Sequence, residues 1–285
     1  MKVSLNGAKL GVDKLSFAEF IELAAQHGYD GVDFSVSAAM RAAEERGGLE
    51  ALAALFAEKK VAPAVFGLEV EWRKDDAAFQ QGMQTLEDKA KFASALGCSR
   101  CCTWMLPAVN GDPAAWRAQT AERFKAIASV FEQHGIRFGL EWVGPHHLRA
   151  GGVNATGETN VIYTMPQTLE LIAEIGKPNI GLLVDSYHCY TTGVTEAELA
   201  ALNDDQIVHV HINDAPKGVG PGGARDGERV LPGEGEIDLA AFLRGLKAAN
   251  YSGYIATEVL SPNLIADTPN AAAAKVRDSL KALGI

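Results

Sequence analysis

Four short apolar runs from the middle of the chain onward each end in a side chain able to bind a metal ion: Phe138-Gly-Leu-Glu141, Leu182-Leu-Val-Asp185, Val208-His-Val-His211 and Ile255-Ala-Thr-Glu258. Successive side chains of a strand point to opposite faces. If Phe138 and Leu140 face one way, Glu141 faces the other, and the same alternation sets Asp185 against Leu182 and Val184. Glu258 likewise opposes Ile255, Thr257 and Val259. In the third run Val208, Val210 and Ile212 share one face, and His209, His211 and Asn213 share the other. Two glutamates, an aspartate and a histidine converging at one place are costly unless a cation compensates them. Their mixed oxygen and nitrogen donors suit one borderline or hard divalent ion, namely Mn²⁺, Zn²⁺, Mg²⁺ or Co²⁺. The spacing therefore predicts Glu141, Asp185, His211 and Glu258 as metal ligands. His209 reads as a core or supporting partner.

The elements that must position these residues alternate along the whole chain. Strand-like runs lie at Lys2–Asn6, Gly31–Val36, Val61–Leu68, Arg100–Met105, Ile136–Val143, Ile180–Ser186, Ile207–Asn213 and Gly253–Leu260. Between them lie stretches with apolar residues at helical spacing. In the first, Phe17, Phe20, Ile21 and Ala24 share a face, Ser16 and Glu19 form a capping box, and Gly28 stops the helix. Eight strand–helix repeats predict an α/β fold, a single (β/α)8 TIM barrel over residues 1–285, with its active site at the C-terminal ends of the strands. A doubly wound sheet would open on a glycine fingerprint that Gly7-Ala-Lys-Leu-Gly11 does not supply. Trp104, at the end of the fourth run, and Trp72 are candidates for an aromatic wall at the mouth, Trp104 being the one taken as substrate-binding. Trp142 has the parity of the outer face.

Composition narrows the partners. Twenty-six basic residues stand against 36 acidic ones, a net charge of −10, with no basic run. Nucleic acid and anionic membranes are thereby disfavoured as partners. Four cysteines in so long a chain make no disulfide framework, and Cys98-Ser-Arg-Cys101 has no second pair to complete a zinc site; all four read as buried thiols. The start Met1-Lys-Val-Ser-Leu-Asn-Gly7 has no apolar signal region, and no apolar run is long enough to span a bilayer, so a cytoplasmic location is expected.

The ligand runs, together with Leu140-Glu-Trp-Val-Gly144, Gly181-Leu-Leu-Val-Asp-Ser-Tyr-His188 and Arg229-Val-Leu-Pro-Gly-Glu-Gly-Glu-Ile-Asp238, resemble the xylose isomerase-like TIM barrel superfamily of sugar isomerases and epimerases. The inosose isomerase and D-tagatose 3-epimerase types come nearest. The resemblance covers nearly the whole chain. It implies Glu141, Asp185, His211 and Glu258 as ligands, Glu141 and Glu258 also as the catalytic acid/base pair, and His188 and Arg229 as substrate contacts. It further implies a small sugar or cyclitol as substrate and allows a homo-oligomer, although no distinctive interface segment stands out. The expected reaction is divalent-metal-dependent isomerisation or epimerisation of a small ketose or inosose, by proton abstraction beside a carbonyl and an enediolate. A metal-dependent lyase or dehydratase acting on an inosose or 3-keto-glycoside begins with the same abstraction. The third and fourth runs lack the histidines that an endonuclease IV-like repair enzyme needs, and a non-catalytic sugar-binding barrel would not need an intact ligand set. Pro145–Tyr163 and Ala215–Arg225 are longer and richer in glycine than this family's pattern. Both are expected at the mouth, where loops set specificity. Glu234 is expected to order the Pro232-Gly-Glu-Gly235 loop. The glycines of Gly218–Gly223 are read as a turn-rich loop rather than an anion cradle.

Overall fold

Eight parallel strands close on themselves: β1 (Lys2–Leu5), β2 (Gly31–Phe34), β3 (Ala62–Gly67), β4 (Arg100–Met105), β5 (Arg137–Trp142), β6 (Ile180–Asp185), β7 (Ile207–His211) and β8 (Tyr254–Ala256). The computed structural model describes all of residues 1–285. Neighbouring strands follow chain order, and β1 closes the ring by pairing with β8 through Lys2–Tyr254, Val3–Ile255 and Ser4–Ala256. The architecture is a single (β/α)8 barrel. Arg100–Met105 forms with the expected bounds, whereas the other strands are shorter than the sequence suggests, most of all β8, so Glu258 lies two residues past its last paired residue.

The first helix, Phe17–Gln26, starts at the expected Ser16–Glu19 capping box and buries Phe20, Ile21, Leu23 and Ala24. The outward faces of the strands pack against the helices in one large apolar layer that includes Phe138, Leu140, Trp142, Leu182, Val184, Val210 and Ile255. Trp72 belongs to this layer too. It is 3% exposed, lies edge-on to Phe124 at 4.6 Å and donates to the Thr103 hydroxyl, so it is a core residue and not part of the mouth.

Inside the ring, a small cluster of Val65, Cys102, Leu183 and Val208 fills the barrel below the ligand ends. Strict alternation placed Val208 outside. The structure turns it inward because the register with β6 shifts: Leu182 pairs with Ile207, and Leu183 pairs with His209. The skipped residue is Val208. Its carbonyl accepts from Arg100 Nη1 at 3.1 Å, which satisfies a group that the bulge takes out of the ladder. Gly139 makes room opposite: a Cβ there would lie 3.0 Å from Val208 Cβ and 2.6 Å from Cys102 Sγ.

The long segment after β5 is folded. Thr159–Asn160 pairs antiparallel with Ala108–Val109, and the Thr156 hydroxyl donates to the Ala108 carbonyl. All four cysteines are buried and free, and burial raises their thiol pKa values. No helix is long and apolar enough to cross a membrane.

Candidate metal centre

The parity argument places Glu141, Asp185, His211 and Glu258 together, and the structure brings them together: one donor atom from each lies within 4.8 Å of the others. His211 Nδ1 is at the centre, 3.4 Å from Glu258 Oε2, 3.6 Å from Glu141 Oε1 and 3.9 Å from Asp185 Oδ2. Glu141 Oε1 and His211 Nδ1 are both buried with no hydrogen-bond partner. Buried polar atoms are rarely left so. Orphaned donor atoms that face one another around a gap are what a cation site presents, so this donor set fits a divalent ion.

Electrostatics separate the two glutamates. Burial raises the Glu141 pKa, and the nearby His211 and His188 only partly oppose it. Burial also opposes ionisation of Glu258, but His211, Arg229 and His188 outweigh it and hold this carboxyl well below the usual range. Burial pulls His211 down, whereas the carboxylates of Glu258 and Glu141 more than reverse that, so its pKa stands well above the ordinary imidazole value. Two carboxyl groups pushed apart in this way suit opposite roles in proton transfer. A bound cation takes the place of the His211 proton and lowers both.

Asp185 is fully buried and held from three sides. Its Oδ1 caps the helix Ser186–Thr192 by accepting from Tyr187 N, its two oxygens accept from Asn213 Nδ2 at 3.2 and 3.1 Å, and its Oδ2 accepts from Arg229 Nη1 at 2.9 Å. Arg229, 2% exposed, also donates to Glu258 Oε2 at 3.1 Å and to Asp226 at 2.7 Å. His188 sits on the helix Ser186–Thr192 rather than in a loop. Its Nδ1 accepts from Gly144 N, and its Nε2 lies 3.8 Å from Glu141 Oε1. His188 and Arg229 thus stand behind the carboxylates, whereas the cavity itself, about 330 Å³, is lined by Glu141, His211, Glu258, Asn6, Asp33, Thr103 and Trp104 among others. Trp104 is 45% exposed on its rim, with the Arg73 guanidinium stacked 3.8 Å from its ring centre.

Alternation along the last four strands leaves out Asp33 of β2 and Asn6, just after β1, which also line the cavity. Asp33 lies between Val32 and Phe34, both packed outward, so the same test would have turned it into the barrel. Its Oδ2 accepts from Asn6 Nδ2 at 3.3 Å and lies 3.1 Å from His209 Nε2. His209 thus faces Asp33 and not the carboxylates of the main cluster, although its parity matches that of His211.

Two loop expectations change. Glu234 is half exposed and reaches only Lys275, at 3.9 Å. The buried Asp214 orders the Pro232–Gly235 loop instead, accepting from the backbone N–H groups of Gly233, Gly235, Ile237 and Ala215. The Gly218–Gly223 segment, expected as a turn-rich loop, instead closes in a single helical turn, Gly220–Gly223, and the N–H groups of Gly218 and Gly220 donate to Glu236 of the same chain.

The sequence profile of the xylose isomerase-like TIM barrel family matches residues 21–283. The chain belongs to that family. It is 23% identical over 266 residues to the inosose isomerase of Bacillus velezensis, an alignment covering 92% of this chain and 89% of that one. With the inosose isomerase of Bacillus licheniformis it shares 27% identity over 146 residues, and there the chain spans only 48% of the relative's length. Among solved structures, a xylose isomerase domain protein from Alicyclobacillus acidocaldarius superposes with a TM-score of 0.89 at 35% identity, covering 99% of this chain and 98% of that one. A structure described as the IolI protein with a bound zinc atom superposes with a TM-score of 0.81 at 21% identity over 99% and 98% of the two chains, which shows the shared fold.

Proposed function

We propose that the protein is a divalent-metal-dependent isomerase or epimerase of a small ketose or inosose. The observation that carries this reading is the buried ring of Glu141, Asp185, His211 and Glu258, open to a cavity of monosaccharide size. Family membership and the inosose isomerase relatives support the substrate class. These four residues would hold a divalent ion, which would supply Lewis acidity beside a substrate carbonyl and so acidify the adjacent C–H.

The protein's own groups do the rest. Glu258 is held ionised by its cationic neighbours and takes the proton from that carbon as general base. Glu141, the second carboxyl group of the cluster, returns a solvent-derived proton to the opposite face of the same carbon, giving epimerisation. Return by Glu258 to the adjacent carbon gives isomerisation instead. Asn213 and Arg229 keep Asp185 from rotating, and Trp104 offers an apolar wall to the C–H face of a sugar. His188 Nε2, 3.8 Å from Glu141 Oε1, stands behind that carboxylate and helps to position it.

The test is solvent exchange. Protein loaded with Mg²⁺ is incubated in D2O with ketopentoses, ketohexoses, inososes and 3-keto-glycosides and followed by NMR. Deuterium should enter beside the carbonyl only when metal is present, and the product distinguishes isomerisation, epimerisation and loss of a β-substituent. Protein that demonstrably holds the ion yet exchanges no member of the panel would defeat the proposal.

A further inference from the structure

His211 offers two nitrogens, and the structure gives each a different neighbourhood. Nδ1 faces the three carboxylates of the metal centre. Nε2 faces the other way, and Asp33 Oδ2 on β2 lies 4.0 Å from it. The same Asp33 oxygen is 3.1 Å from His209 Nε2 and accepts from Asn6 Nδ2. The two imidazoles are nearly perpendicular, 84° apart with centroids 5.2 Å apart, so both point a nitrogen at one carboxylate without stacking. His209 is fully buried, and no other hydrogen-bond partner holds its ring: its Nδ1 has none.

We infer that Asp33, braced by His209 and Asn6, is a positioning residue that fixes His211 in the Nε2–H tautomer and so presents Nδ1 to the metal ion. An imidazole that coordinates through one nitrogen keeps its proton on the other, and a carboxylate facing that N–H fixes the tautomer and ring angle and strengthens the donor. Here that carboxylate comes from β2, a strand that contributes no ligand. The arrangement also explains a buried acid on the far wall of the cavity whose nearest polar contacts are a second histidine and an asparagine. A second ion held by Asp33, His209 and His211 would make the opposite demand, since His211 would have to surrender both of its protons to serve two ions.

The inference rests on the four-residue cluster binding an ion, and the experiment separates the two. Zn²⁺ affinity and stoichiometry of the full chain are measured without substrate, by competition with a chelator at fixed pH, for wild type, Asp33→Ala, Asp33→Asn and His209→Gln. Wild type should bind one ion. Asp33→Ala should weaken binding by about 10- to 100-fold, and Asp33→Asn should recover part of that loss, because its amide oxygen keeps an acceptor facing the imidazole. An additional measurement needs no variant: ¹⁵N shifts of the Zn²⁺-loaded wild type should show His211 coordinated through Nδ1 with a proton on Nε2. Coordination through Nε2, unchanged affinity in Asp33→Ala, or two ions per wild-type chain with one lost in Asp33→Ala would each overturn the inference. A wild type that binds no Zn²⁺ would instead remove the metal reading itself, and this inference with it.

Discussion

Replacing Arg229 by methionine should destabilise the protein far more without metal than with it. Arg229 is buried among Asp185, Glu258 and Asp226. At an effective dielectric constant of about 20, its contacts with Asp185 at 2.9 Å and Glu258 at 3.1 Å are each worth about 5–6 kcal/mol of gross attraction. Desolvating the guanidinium takes back much of this, but deleting one partner of a buried pair leaves uncompensated charge and costs about 3–5 kcal/mol. Methionine keeps much of the bulk and none of the charge. For a chain of this size each kcal/mol moves the melting temperature by roughly 2 °C, so metal-free Arg229→Met should melt about 6–10 °C below the parent. A divalent ion at the centre supplies counter-charge to Asp185 and Glu258 directly and leaves only Asp226 unmatched. With saturating Mg²⁺ the deficit should then fall by about half or more. Calorimetric melts of both proteins, in EDTA and in Mg²⁺, read this difference of differences. Equal deficits in the two conditions, or none in EDTA, would refute Arg229 as the counter-ion of the metal-free site.

Further outcomes follow from the same geometry. Glu258→Gln should lower kcat by about 10²- to 10⁴-fold on whichever substrate is turned over; near-normal turnover would exclude it as the base. Asp214→Asn keeps the shape of the side chain but replaces one acceptor oxygen with a donor. Two backbone N–H groups of the Gly233–Ile237 turn then lose their partner, at a cost of about 3 kcal/mol, and an unchanged melting temperature would contradict that. Glu69 joins the ends of β2 and β3 by accepting from Ser35 and Ser37 and pairing with Lys89 at 2.8 Å. Burial opposes its ionisation, but these partners win and lower its pKa to about 2. Its contribution is complete above the unfolded-state value near 4.5 and is lost as pH falls from there towards 2. Allowing for partial exposure, that is about 1–2 kcal/mol. Urea melts across this window should show the parent losing that increment relative to Glu69→Gln, and parallel curves would count against it.

The convergence of Glu141, Asp185, His211 and Glu258 was legible in the sequence because each ends a run whose apolar residues fix which way the next side chain must point. That logic needs an unbroken ladder, and it fails at Val208, where a skipped residue sends two consecutive side chains inward. The pairing partner that causes the shift sits on another strand, so no local pattern reveals it. Asp33 was within reach of the same test. What hid it was its isolation: a single acid on β2 between Val32 and Phe34 carries no ligand pattern of its own. Trp72 and Glu234 were misjudged for another reason: both lie on loops, where no periodicity reports direction. The Asp214 anchor was invisible because its partners are backbone N–H groups, which every sequence possesses.

The plug of Val65, Cys102, Leu183 and Val208 belongs to no ligand and no loop, yet it is the floor on which the chamber stands. Depth and rim are therefore governed by separate parts of the chain. Trimming Leu183 would deepen the chamber, while changes at Trp104 would reshape only its rim. A protein built this way can be refitted to a taller or shorter guest by a side chain or two at the bottom, with the metal-binding tier left in place.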